Sequence, residues 1–349
     1  MATMTAAVLV AHGGPEAVEV RRDVPVPRPA AGQVRIEVAA AGVNNTDLWT
    51  REGAYGRPDD PDAIVGWKGV PIAFPRVQGG DAVGQVVELG PQAPAELLGR
   101  RVLVDPITYG QGQDPEEPPI EGVLGSEEDG AFAQHLCVPA DRVHDVTDAP
   151  LSDAQLACLP IAYGTATGML ERAALRAGER VLVTGASGGV GIALVQLAAA
   201  RGAQVVAVTT GRTADAVRRA GASQVVLRDD PPLADRLAQA GPFAVIADVV
   251  GGPSFGGLLG ALAPGGRVVT CGAVAGPVVE IDLRVLYLQR RVLIGSTMHT
   301  PSQFRRLVED ARAGHLDPPV ARTYPLTGIH RAQQDFAAGD HLGKLVLIP

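Results

Sequence analysis

Residues 181–191 read Val181-Leu-Val-Thr-Gly-Ala-Ser-Gly-Gly-Val-Gly191, and the apolar run 192–200 follows directly. The apolar opening predicts a buried strand, the glycine cluster a tight turn, and the run after it the first turns of a helix. A second apolar stretch, 204–209, follows at the distance a strand–helix–strand unit needs. Glycines at 188 and 191 let the backbone approach a pyrophosphate and let the helix pack close to the strand. The helix N-terminus offers unpaired N–H groups and a partial positive charge to phosphates. Ala186, Ser187, Gly188, Gly189 and Val190 are therefore candidate phosphate-binding residues. A tight strand–helix turn without a ligand would leave so many glycines at one turn unexplained.

Outward from this turn the pattern repeats. Expected strands at 181–183, 205–208, 224–227, 244–248, 267–270 and 291–295 alternate with expected helices at 190–200, 213–220, 232–239 and 254–262. Such alternation predicts a parallel sheet covered on both faces. A helical stretch running from 152 towards 176 precedes it. The first third reads differently: short strands at 6–10, 18–20, 33–40, 82–89, 102–105 and 132–138, punctuated by Pro25, Pro27, Pro29 and Gly32. The segment 111–125, rich in Pro, Glu and Gly, reads as an exposed loop. The last third carries a helix at 300–314 and strands at 323–325 and 344–348. Its tail resembles the first domain more than the second, so the chain leaves one domain, builds another and returns. That arrangement predicts a cleft between the two.

Composition narrows the function. The chain has 349 residues, enough for two domains, and a formal charge of −8, which argues against nucleic acid or an anionic membrane as a partner. Aromatic residues make up 4%, with no basic stripe for stacking bases. Three scattered cysteines, Cys137, Cys158 and Cys271, without CxxC spacing, suggest reduced thiols in a cytoplasm. Residues 1–10 lack the basic start of a signal peptide, and no apolar run reaches the length of a membrane span.

Six blocks in order along nearly the whole chain resemble the medium-chain dehydrogenase/reductase superfamily. They are Ala41-Gly-Val-Asn-Asn-Thr-Asp-Leu48, Val77-Gln-Gly-Gly-Asp-Ala-Val-Gly84, Gly125-Ser-Glu-Glu-Asp-Gly-Ala-Phe-Ala133, the glycine turn, Asp248-Val-Val-Gly-Gly252 and His341-Leu-Gly-Lys-Leu-Val-Leu-Ile-Pro349. The resemblance implies an α/β fold: a GroES-like β domain from residues 1–150 and 296–349, with a Rossmann doubly wound parallel sheet inserted at 151–295. Zinc-dependent members carry a Cys where this chain has Asn44 or Asn45, and a His in the triplet that here is Gly79-Gly80-Asp81. Their third ligand falls near Ile161, and their four-cysteine structural lobe near 105–125. A catalytic zinc needs three protein ligands and a water, and only Asp81 among these is a ligand type. No metal is expected, and the chain resembles the zinc-independent, quinone-oxidoreductase-like branch.

The strand after the glycine turn ends Val208-Thr-Thr-Gly-Arg-Thr213. An NAD site usually places Asp or Glu here for the ribose 2′-hydroxyl. With no carboxylate to repel a 2′-phosphate, Thr209, Thr210 and Arg212 can hydrogen-bond one. Arg212 reads alternatively as a solvated helix-start residue. The Ala-x-Gly-x-x-Gly form of the turn is common among the NADP-preferring members it resembles. NADPH is the expected cofactor.

Without a metal the Lewis-acid route to polarising a carbonyl is gone, so the acceptor must already be electron-poor: an enone or a quinone. Asn44 and Asn45 can donate amide N–H groups to a substrate oxygen or the nicotinamide ribose; Asn44 reads equally as a helix cap. By resemblance, Asp47 completes an Asn-x-x-Asp pattern. Related reductases often carry a tyrosine near the substrate at this point, so by resemblance Tyr55 holds an oxygen or delivers a proton; it reads alternatively as a pocket-wall or surface aromatic, and Trp49 and Trp67 shape the pocket. Also by resemblance, Thr165 contacts the nicotinamide ribose or phosphate, Gly272 and Ala273 belong to the loop at the carboxamide, and Lys344 stands at the cofactor or cleft edge. His299 either faces the cleft or is structural. Two rival functions stay open: an NADPH-dependent carbonyl reductase or alcohol dehydrogenase, and an NADPH-binding protein or non-redox cyclase without net turnover. By resemblance the last strand of the sheet, 291–295, pairs with its copy in a second chain to make a homodimer, and an otherwise exposed apolar edge would be a liability in a monomer.

Overall fold

The computed structural model describes residues 2–57, 66–230 and 232–349. Residues 58–65, part of the long connection 56–75, lie outside the described residues. Two compact units emerge: Met1–Ile161 with Thr300–Asp340 and Lys344–Pro349, and Ala162–His299 with His341–Gly343. Residues 151–161, which the sequence places with the second unit, pack with the first.

The first unit is built mainly on antiparallel strands, with Val320–Pro325 and Lys344–Ile348 paired parallel. Its larger sheet runs in the order Val143–Asp145, Arg101–Val104, Val83–Leu89, Gln33–Gly42, Lys344–Ile348, Val320–Pro325, with His135–Pro139 also pairing with Gln33–Gly42. Strand Gln33–Gly42 shows why it folds so: Val34, Ile36, Val38 and Ala40 alternate inward and are buried, while the residues between them meet solvent more, the period-two pattern of a half-buried strand. Phe132, Leu136, Leu345 and Leu347 complete this core. The C-terminal strand lies antiparallel to the end of Gln33–Gly42, with Val346 opposite Gly42 and Leu347 opposite Ala41. That register brings Lys344 to the loop leaving Gly42.

The second unit is a parallel sheet in the order Gln224–Leu227, Gln204–Thr209, Arg180–Val183, Phe243–Asp248, Leu262–Thr270, Val292–Gly295. The reversal of direction beside Arg180–Val183 is the doubly wound order, with the ligand crevice expected at the carboxyl ends of these strands. Val181, Leu182, Val205, Val206, Val245 and Ile246 are fully buried, as strands covered on both faces require.

Several expectations need correction. Segment 111–125 is not all loop: Ile120–Val123 pairs with Ile107–Tyr109 as a hairpin. The helix expected from 152 is broken into Asp153–Leu156, a wide π turn at Leu159–Tyr163, and Gly164–Arg172. Pro160 has no N–H to give the helix, and the Ile161 N–H is drawn to the Asp81 carboxylate at 2.7 Å. Helix Ile329–Ala338 was not expected. No helix among the described residues is long and apolar enough to cross a membrane.

Candidate active site

In the first unit, strand Gln33–Gly42 delivers the chain to Asn44, which precedes helix Asn45–Glu52. The Asn44 N–H donates to Asp47 Oδ2 at 2.7 Å, so Asp47 closes the helix start. The cap reading of Asn44 thus matches its position; the donor reading does not survive. Its Nδ2 donates to Asp81 Oδ2 at 2.8 Å and to the Gly42 carbonyl at 3.3 Å, and its Oδ1 accepts from Lys344 Nζ. Both amide protons and the oxygen are engaged within the protein, and Asn44 is buried. No amide proton is left for a substrate oxygen.

Lys344 is likewise not at an edge. It is 2% exposed, and its ammonium donates to the Val43 carbonyl at 2.9 Å, to Asp81 Oδ2 at 2.8 Å and to Asn44. All three of its protons are engaged. Asp81 in turn accepts from Asn44, Lys344 and Ile161. One buried carboxylate therefore joins the loop at 44, the π turn and the C-terminal strand. Burial raises the Asp47 carboxyl from 3.8 to about 7; the Asn44 N–H and the Lys344 charge oppose the rise, and Asp81 adds to it. Burial also pushes the Cys158 thiol up to about 12, which keeps it an inert core residue.

Asn45 and Thr46 take the first two positions of the helix. Both are half-buried, and neither side chain has a protein partner among the described residues. Thr46 is a donor that the sequence reading passed over. Its signal was available, since a hydroxyl at the second position of a helix is not needed for capping once Asn44 and Asp47 do that work. Tyr55 lies between two indoles, its ring 5.9 Å from Trp49 and 6.0 Å from Trp67.

In the second unit, strand Arg180–Val183 ends in the glycine turn and helix Gly189–Ala200 begins, with Gly188 as its N-cap and no side chain capping it. A Cβ on Gly191 would overlap the Gly185 carbonyl and press on Ala186 Cα at 2.8 Å, so close packing of helix on turn demands glycine there. Gly188 differs: a Cβ would meet only the Gly185 carbonyl, at 3.5 Å. No other described residue comes within 4 Å of that Cβ, which leaves a cradle above the uncapped N–H groups of the kind a pyrophosphate takes. The residues present fit a dinucleotide. Ala186 is buried, and the Ser187 carbonyl accepts the Gly343 N–H at 2.9 Å.

The remaining second-unit candidates divide. Thr209 is buried, its hydroxyl 2.6 Å from that of Thr213; it faces inward. Thr210 is half-buried and Arg212 exposed. Thr165 is buried and its hydroxyl donates weakly to the Met298 sulfur at 3.7 Å. Gly272 and Ala273 are half-buried in a loop packed on 249–252, where the Ala275 N–H donates to the Val250 carbonyl at 2.9 Å. Asp248 is fully buried and holds that loop through Thr184 Oγ1 at 2.7 Å and the Gly251 N–H at 2.9 Å. His299 is buried against Gly164.

The metal-ligand positions do not suit zinc. Asn44 is engaged, Gly80 and Ile161 offer no ligand atom, and both oxygens of Asp81 are taken. Among the described residues no three His, Cys, Asp or Glu side chains gather as a metal site.

A β unit with unengaged donors on one helix, and a doubly wound unit with a dinucleotide turn, define a nicotinamide-dependent oxidoreductase. Residues 30–148 match the alcohol dehydrogenase GroES-like domain and residues 189–312 the zinc-binding dehydrogenase family. The chain is 32% identical to the acryloyl-coenzyme A reductase of Metallosphaera sedula, over 97% of this chain and 98% of that one. It is 29% identical to the quinone oxidoreductase of Mus musculus, over 96% and 95%. A solved structure from Sinorhizobium meliloti 1021, provisionally assigned as an alcohol dehydrogenase, aligns with a TM-score of 0.94 at 46% identity, covering 99% of this chain and 97% of that one. The chain belongs to the medium-chain dehydrogenase/reductase superfamily, and within it to the quinone-oxidoreductase-like members.

Proposed function

We propose that this oxidoreductase moves a hydride from NADPH to an activated alkene, an enone, or to a quinone, without zinc. The observation that carries the reading is Lys344, whose ammonium binds the side chain standing at a metal-ligand position. Bound NADPH supplies the hydride. Gly188 and the N-terminus of helix Gly189–Ala200 receive the pyrophosphate. Thr210 and Arg212 favour the 2′-phosphate, since no carboxylate at the end of strand Gln204–Thr209 repels it. The loop with Gly272 and Ala273 offers backbone groups to the carboxamide.

As hydride adds to the β-carbon, negative charge develops on the conjugated oxygen, and the enolate then takes a proton from water at its α-carbon to give the saturated product. Asn45 and Thr46 donate hydrogen bonds to it. An acceptor that is already electron-poor needs no Lewis acid. The relatives named as acryloyl-coenzyme A reductase and quinone oxidoreductase support this acceptor class. The three unpaired thiols suit a reducing, cytoplasmic setting. Strand Val292–Gly295 closes one edge of the parallel sheet with Val292 and Leu293 exposed, which supports pairing with a second copy.

The test is oxidation of NADPH and of NADH with chelator present, against a quinone, an enone, an aldehyde and a ketone. Turnover of the enone or quinone with NADPH is expected. Turnover of the aldehyde or ketone alone would replace this reading with carbonyl reduction. Binding of NADPH without any turnover would replace it with a non-redox role.

A further inference from the structure

Most of the large apolar side chains that the described residues leave in solvent lie on one stretch of the second unit: Val278, Leu283, Tyr287, Leu288, Val292 and Leu293. Their neighbours Val279, Ile281, Val285 and Leu286 pack against the core of that unit, so the stretch turns a second apolar face outward. Leu283 and Tyr287 stand four residues apart, on one side of helix Leu283–Tyr287. Strand Val292–Gly295 ends the sheet, paired with Leu262–Thr270 on one side and open on the other among the described residues. At 44–88% exposure the six side chains present on the order of 700 Å², more than the largest apolar patch of most monomers and near the roughly 800 Å² per partner of a standard interface. An open strand edge flanked by apolar residues complements its own copy about a two-fold axis. The exposed charges at the helix start, Asp282 and Arg284, already neutralise each other at 2.7 Å within the chain.

The second observation is the loop 272–276, which contains the residues assigned above to the carboxamide. Its one large side chain, Val274, is 59% exposed, so the loop has no large apolar anchor in the core. It hangs on main-chain bonds: the Ala275 N–H donates to the Val250 carbonyl at 2.9 Å, and the Gly252 N–H to the Gly276 carbonyl at 3.0 Å. The segment it grips is built on Asp248, whose carboxylate accepts the Gly251 N–H at 2.9 Å and the Thr184 hydroxyl at 2.7 Å. Thr184 immediately precedes the glycine turn. The two loops interlock, since a Cβ on Gly252 would press on Ala275 Cβ at 2.7 Å. Val274 and Val278 are separated by at most about 14 Å of chain, so an interface seated on the apolar face reaches the loop.

We propose that a second copy of this chain seats on this face, covers Val274 and fixes the loop 272–276, so that self-association and NADPH binding strengthen one another. This rests on the NADPH and second-copy readings above. A loop that the partner has already fixed loses no further freedom when the nicotinamide arrives. Such coupling is reciprocal, and a dimer has two sites, so the shift in its dissociation constant is the square of the shift at each site.

The experiment follows the full-length protein by fluorescence-detected sedimentation across a dilution series, without and with saturating NADPH, and measures NADPH affinity by calorimetry. A dimer is expected whose dissociation constant falls about a hundredfold with NADPH, for a gain of about tenfold at each site. Leu293→Lys and Tyr287→Glu, made separately, should give monomers that each bind NADPH about tenfold more weakly than the dimer; circular dichroism checks that both fold. Val274→Ser leaves the strand edge and the helix face in place, and should keep the dimer while losing most of the gain. A dimer whose dissociation constant ignores NADPH, or a gain that Val274→Ser leaves unchanged, overturns the proposal while the dimer and cofactor readings stand. A monomer at every concentration that still binds NADPH overturns the second-copy reading and the coupling with it; if it pellets with phosphatidylcholine vesicles, the face belongs to a bilayer surface. A dimer that does not bind NADPH overturns the cofactor reading and the coupling, and leaves the interface standing.

Discussion

Replacing Lys344 by Met would remove the cation from a carboxylate that has nowhere else to turn. The Asp81 side chain is fully buried and that of Lys344 is 3% exposed, so solvent does not screen the loss. Asn44 and Ile161 would still donate to Asp81, but the charge would be uncompensated. Breaking one side of such a pair costs about 3–5 kcal/mol. At roughly 2–4 °C per kcal/mol for a unit of this size, the midpoint of thermal unfolding should drop by on the order of 10 °C. Lys344→Met combined with Asp81→Asn removes both charges and keeps an acceptor for the Ile161 N–H. It should recover more than half of the loss. Urea unfolding followed by circular dichroism, across wild type, both single variants and the double, gives the coupling directly. A single variant costing less than about 1 kcal/mol, or a double no better than Lys344→Met alone, would refute the claim that this pair locks the site.

Further expectations follow from the same geometry. Asp47 holds its proton up to about 7 in the folded state against 3.8 ordinarily, so the stability it contributes is full below about 4 and is lost as pH rises through about 7. Asp47→Asn should therefore match wild type near pH 4 and exceed it at pH 8 by up to roughly 4 kcal/mol; a pH-independent difference in urea midpoints would count against this. Gly191→Ala should unfold the glycine turn and weaken the whole second unit, whereas Gly188→Ala should melt normally yet bind NADPH at least about tenfold more weakly by calorimetry. Arg212→Gln should lower the NADPH-to-NADH ratio of kcat/KM by about tenfold, mainly through the KM for NADPH; an unchanged ratio would remove the arginine from the cofactor site. Leu293→Lys should shift a dimer to monomer in analytical ultracentrifugation without altering the circular dichroism spectrum.

The sheet of the second unit was legible because its strands are continuous apolar runs set between helices, and 224–227 coincides with the strand that forms; in the first unit 344–348 does so too. The hairpin at Ile107–Tyr109 and Ile120–Val123 was hidden by the prolines, glutamates and glycines between its arms. The site was legible only as far as local patterns reach. Asn44 as a helix start and Gly191 as a packing glycine depend on neighbours a few residues away. The engagement of Asn44 by Asp81 and Lys344 depends on partners 37 and 300 residues distant in sequence, and no local periodicity encodes them. Resemblance alone placed Lys344 at the cofactor or cleft edge; its own strand is apolar, and only the register against Gly42 reveals where its ammonium goes.

The Asp81–Lys344 bond also orders the events of synthesis. Every strand and helix of the parallel sheet, from Arg180 to Gly295, leaves the ribosome before Lys344 does, so the second unit holds all of its sheet while the first still lacks a strand. Lys344 follows Ile161 by about 180 residues, a delay of roughly 10–40 s at ordinary elongation rates. Through that interval Asp81 lacks its lysine, and the end of strand Gln33–Gly42, at Ala41 and Gly42, lacks the neighbour that His135–Pro139 does not supply. The inserted unit is thus positioned to fold first, and the surrounding one is completed by its last strand.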